Sequence, residues 1–145
     1  VVYEVTRVQQ WIFQRLHTTP TLAARVAERI YEAPAPQGAT TPYVIVDHRA
    51  GTDTSSGRVR ISTQMLFAIE VVTQDDGLLS LEPIYDAIDD ALQGYTSEGQ
   101  AYRGIIIDRV WRESNYADWG LESGQTRKHI GALWRLFIRP QVLNP

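Results

Sequence analysis

The chain has 145 residues, of which 43% are apolar and 21% charged, with a formal net charge of −3 and no cysteine. That length suits one domain over 1–145 with one sizeable core, and the composition excludes wholesale disorder and a fibrous architecture. Without cysteine there are no disulfides, thiolate zinc sites, iron–sulfur clusters or cysteine nucleophile, which leaves a fold held by packing and suited to a reducing cytoplasm.

The net charge gives no overall attraction to nucleic acid or anionic lipid. No apolar run approaches the roughly 20 residues of a membrane-spanning helix, and Val1-Val2 does not open a signal-peptide pattern, so no membrane partner is expected. Val5, Val8, Ile12 and Leu16 recur at helical spacing and predict a first helix over Tyr3–Leu16. Pro20 restarts the chain, and Leu22, Val26 and Ile30 give a short second helix. The Ala33–Gly38 stretch breaks it, and Pro42–Asp47 is a β-branched first strand.

Arg49–Gly57 is a polar loop rich in Gly, Ser, Thr and Asp, with the content of a flexible tip that orders on a partner. Then Val59, Ile61, Thr63, Met65, Phe67, Ile69, Val71 and Thr73 alternate with mostly polar residues, the clearest strand in the chain. A strand of that length spans on the order of 50 Å, so it either bends midway or projects toward another chain, with Arg58 and Arg60 on the projecting half. Asp75-Asp76-Gly77 turns the chain into a third helix over Leu81–Gln93, with Ile84, Ile88, Ala91 and Leu92 as its buried stripe.

After a loop over Gly94–Gln100, strands are expected over Tyr102–Glu113 and Thr126–Arg139, joined by a long connection over Ser114–Gln125. Two helices, two strands, a helix and two strands make an α+β (two-layer α/β) fold, with a mostly antiparallel sheet of about four strands and helices on one face.

No constellation for chemistry emerges. His17, His48 and His129 lie far apart, without the spacing of a metal site, and Asp47 and His48 point to opposite faces of a strand. Phosphate-cradling and serine-nucleophile motifs do not occur, so no catalytic residue, metal or cofactor is expected. Glu82, Asp86, Asp89 and Asp90 share a helical face, read as a solvated acidic surface that repels DNA phosphate or docks a basic partner.

Arginines cluster in the C-terminal third beside Tyr102, Trp111 and Trp134, but carboxylates interleave with them, which disfavours a nucleic-acid platform. Tyr116, Trp119 and Leu121 stand in a connection that would ordinarily be polar. With Arg58, Arg60 and Trp111 they are the candidate interface residues, and the connection is read as an arm between subunits, with folding back on its own domain as the alternative.

Arg29-Ile30-Tyr31-Glu32-Ala33-Pro34 followed by Pro42-Tyr43-Val44-Ile45-Val46 resembles the start of the phage tail terminator (tail completion) family. The strand Phe67–Thr73, the helix ending at Leu92 and the final His129-Ile130-Gly131-Ala132-Leu133-Trp134-Arg135-Leu136 are similar to its later elements in order and spacing; the loop around Trp119 matches no family pattern. The resemblance implies a virion subunit, assembled in the host cytoplasm. It would form a homo-hexameric ring that caps the head-proximal end of the tail tube and stops its polymerisation. Its partners would be the tail tube protein and a head-completion or stopper protein, with DNA passing through the lumen without specific binding. The alternatives are a head-completion or stopper subunit and, from another class, a small ligand-binding domain or enzyme.

Overall fold

The computed structural model describes residues 4–74, 77–122 and 124–141. Among the described residues, strands make up 50% and helices 26%. The elements are α1 (Glu4–His17), α2 (Pro20–Val26), β1 (Ile30–Glu32), β2 (Tyr43–Ser56), β3 (Val59–Thr73), α3 (Leu78–Leu92), β4 (Ala101–Tyr102), β5 (Ile105–Glu122) and β6 (Gln125–Pro140).

One six-stranded sheet runs in the order β1-β2-β3-β6-β5-β4, curled into a half-barrel. β1 pairs parallel to β2, and the other ladders are antiparallel.

The expected two-layer α/β fold with four antiparallel strands is therefore wrong: the molecule is mostly β, and its sheet has six strands in mixed directions. The two added strands are β1 and β4, and two segments account for most of the added strand length. Ala50–Ser56 of the expected loop is the far half of β2, paired with β3 across the skipped Ile61, and the expected connection Ser114–Gln125 is the outer part of the β5–β6 hairpin. Arg49–Gly57 is exposed on both faces, and along Ser114–Leu121 only Tyr116 and Gly120 are even partly covered, so alternation, which reports one-sided burial, is silent there.

Helix two also stops early. Ala27 adopts φ 52° and ends α2 at Val26, and Arg29 O accepts from Val44 N at 2.9 Å, so Ile30 opens β1 instead of closing a helical stripe. Tyr3, Asp75 and Asp76, used in the sequence reading, lie outside the described residues, as does Ser123 within the former connection. α3 begins at Leu78, a turn earlier than expected.

Four residues have no partner in their ladders: Arg49 in β2, Ile61 in β3, and Asp108 and Glu113 in β5. Each is a bulge, which bends its strand and increases the local twist, and together they curl the sheet. The bulge at Ile61 also explains why the alternation of β3 fails at its start. Beyond Thr63 the side chains are re-aimed, leaving Val59 and Ile61 exposed while Arg60 reaches Glu4 of α1.

The three helices cover one face. Val8, Ile12, Leu16, Leu22 and Ile88 close over Val46, Phe67, Ile69, Ile107, Trp134 and Leu136, all at most 1% exposed. Burying one such side chain contributes roughly 1.5–3 kcal/mol. Arg15 ties two helices together: its Nε donates to the carbonyl of Ala91 at 2.7 Å, and its guanidinium lies 4.5 Å from the ring centre of Tyr95.

Candidate interaction surfaces

The central β3–β6 ladder runs only from Thr63 to Thr73. β2 and β3 continue past its first end to a two-residue turn at Gly57 (φ +61°) and Arg58, while β5 and β6 continue past its other end to a turn at Gly124 (φ +77°). The two hairpins thus extend past opposite ends of the central ladder, each by three residue pairs. Each carries large apolar side chains in water: Val59 (66% exposed) and Ile61 (50%) on one, Trp119 (68%) and Leu121 (71%) on the other. Exposed apolar groups of this size, grouped near the hairpin turns, are candidates for contact with other protein.

The face of the sheet away from the helices carries a second feature. An open cleft of about 430 Å³ is lined by Arg49, Glu70, Tyr116, Trp119, Leu121 and His129 among others, and a neighbouring one of about 370 Å³ shares Glu70 and His129 and is bounded by the 34–38 loop.

Glu70, on β3, is the floor of both. Its Oε2 accepts from the Tyr116 hydroxyl at 2.8 Å, and its Oε1 lies 3.3 Å from His129 Nδ1. Gly131 makes this possible. It is the β6 residue paired with both Glu70 and Tyr116, and a Cβ there would stand 2.7 Å from Glu70 Cβ and 2.8 Å from the Tyr116 oxygen. Tyr116 therefore lies across the bare backbone of β6 to reach β3.

Burial pushes the Glu70 carboxyl up, but the hydrogen bonds with His129 and Tyr116, together with the charges of His129 and Arg49, outweigh it, and the group titrates below its ordinary value. Burial and the adjacent carboxylate push the Tyr116 phenol far above its ordinary range, so it remains a donor throughout. The cluster spends its polar groups on itself and locks three strands together. Further along the same face, the bulged Glu113 takes both Nε and Nη2 of Arg135 at 2.9 and 3.0 Å, and the bulged Asp108 pairs with Arg139 at 2.9 Å.

The candidate interface residues separate into two groups. Arg58, Trp119 and Leu121 stand exposed on the hairpin ends. Arg60, Trp111 and Tyr116 are engaged within the chain: Arg60 with Glu4 and, at 3.9 Å, Asp53; Trp111 stacked 4.6 Å from Phe137 beneath Arg109; Tyr116 on Glu70.

Glu82, Asp86 and Asp90 share the exposed face of α3, whereas Asp89 turns toward Arg112 at 3.6 Å. Among the described residues no three acidic or histidine side chains converge as a metal site would require. The Glu70–Tyr116–His129 cluster escaped sequence reasoning. Its one signal was Gly131, an isolated glycine inside a strand, which marks a close approach.

A half-barrel of strands with helices on one face and apolar hairpins at both ends is the form of a protein that works by assembling with others. The chain belongs to the family of the tail completion protein gp17, whose model matches residues 10–116. It is a structural protein of the phage tail and a component of the virion. The match ends at Tyr116 within β5, short of the hairpin turn and the final strand motif.

The fold is shared with a solved chain from the virion of a native gene transfer agent particle. That chain is 24% identical, with a TM-score of 0.76 over 93% of this chain and 96% of that one. A second solved chain is 11% identical over 94% of this chain and 98% of its own, with a TM-score of 0.48. No curated protein matches.

Proposed function

We propose that this chain is the subunit of a terminator ring of about six copies, a closed cyclic assembly, that caps the head-proximal end of the tail tube. There it stops tube polymerisation and forms the joint to the head connector. The observation that carries this reading is the placement of the two hairpins. An isolated molecule has no use for apolar ends pointing in opposite directions, whereas a head-to-tail ring covers one with the next copy.

Family membership supports it, and so does the fold shared with a chain of a virion particle. Trp119, Leu121 and Arg58 are then contacts between subunits, and Arg60 holds its hairpin in position through Glu4. The exposed acidic face of α3 suits a surface past which DNA slides without binding. The chain carries out no chemistry in this reading.

The test is tube assembly in vitro. Tail tube protein polymerising in the presence of this chain should give short tubes, each bearing a cap at one end in negative stain. Tubes that grow to full length with bare ends would refute the proposal, and binding to portal-side particles instead would identify a head-completion or stopper subunit.

A further inference from the structure

Each edge of the sheet is covered along one half and open along the other. β1 covers β2 only from Val44 to Val46, and Ala33 N donates to Val46 O at 3.1 Å. β4 covers the start of β5 at Ile105 and Ile106; the loop after α3 covers it at Ile107 and Val110, through Ser97 and through Gly94 and Tyr95. Gln93 Oε1 then accepts from Arg112 N at 2.8 Å.

Among the described residues, no backbone partner lies outside β2 from Asp47 to Ser56 or outside β5 from Glu113 to Leu121. Open edges of that length are templates for another strand, and proteins ordinarily cover them, break them up or close them into barrels.

We infer that the open half of β5 in one copy pairs, antiparallel, with the open half of β2 in the next copy, so that the sheets of a ring join edge to edge. This deepens the proposed ring and rests on it. Strand sense supports it: β2, β3, β6 and β5 alternate in direction across the sheet, so a copy rotated about an axis along the strands presents its β2 antiparallel to this copy's β5.

The offset supports it too. The open half of β2 is at one end of the sheet and that of β5 at the other, so each neighbour is staggered along the strands, the displacement that strand tilt supplies in a closed barrel. The partner is a second copy of this chain, because the two open segments match in length, lie on opposite edges and would leave no free edge when the ring closes.

The chain has no cysteine, so engineered pairs report cleanly. Thr52→Cys or Thr54→Cys on β2 is combined with Asn115→Cys or Ala117→Cys on β5, all four positions being exposed. The rings, with tail tube protein present, are treated with a short bis-maleimide. Pairing of the edges yields a denatured ladder from dimer up to the full ring for at least one combination, while each single variant runs as monomer.

Rings of wild-type mass with no ladder from any combination would overturn the edge pairing and leave the ring standing. Cross-linked dimers from a β5 variant alone would overturn it in favour of a two-fold contact. Monomers that neither cross-link nor bind tube ends would overturn both.

Discussion

Gly131 lies between Glu70 and Tyr116 in the register, and the absence of its side chain lets a phenol on β5 reach a carboxylate on β3. Gly131→Ala forces a methyl to within 3 Å of both neighbours and should lower the unfolding free energy by about 1–3 kcal/mol in urea titration. Gly120→Ala, where a Cβ meets nothing within 4 Å, should change it by less than about 0.5 kcal/mol.

Glu70 makes a prediction in pH. Its carboxyl titrates lower in the folded protein than its ordinary 4.5. Its contribution is therefore full above that value and lost as pH falls through the lower, folded one. Glu70→Gln should be less stable than the parent by about 1.5–3 kcal/mol at pH 7, the range for a hydrogen bond to a charged group. The difference should shrink toward zero as the carboxyl is protonated, as read from urea midpoints followed from pH 7 down through the acid range. The sequence offered Gly131 as a sign of close approach, but which side chains approach is decided by register, and register is a property of three strands at once.

The two hairpins are where element-level reading of the sequence succeeded least and where the function is proposed to lie. β3 was legible over Thr63–Thr73 because a core on one side imposes alternation, and α1 and α3 because their buried stripes recur at helical spacing. Asp47–Ser56 and Ser114–Glu122 carry no such stripe. Their pairing is dictated by the partner strand, and the exposed Trp119 and Leu121 are the residues on which the proposed contact between subunits rests.

Trp119→Ser with Leu121→Ser should leave the melting temperature of the monomer within a few degrees of the parent, since exposed side chains contribute little to folding, and should abolish assembly on tube ends in negative stain. Arg60 tests the other hairpin. Arg60→Ala removes the pairing with Glu4 and should speed amide exchange in Ser55–Ser62 while leaving Ile69–Val71, in the central ladder, protected.

At the scale of the whole molecule, helices cover one face of a curled sheet while its edges stay half open and its ends project. The order of helices and most strands could be read from the chain, and the family resemblance supplied the expectation of a ring. The six-stranded half-barrel could not be read, because bulges, a three-residue parallel edge and wet hairpin arms leave no periodic mark.

Copies of this chain are proposed to close into a ring on the tail tube. The solution mass by multi-angle light scattering, with negative-stain images taken with and without tail tube protein, tests that closure. Rings of about six subunits are expected, either free in solution or formed on tube ends. A compact monomer indifferent to tube protein would contradict it.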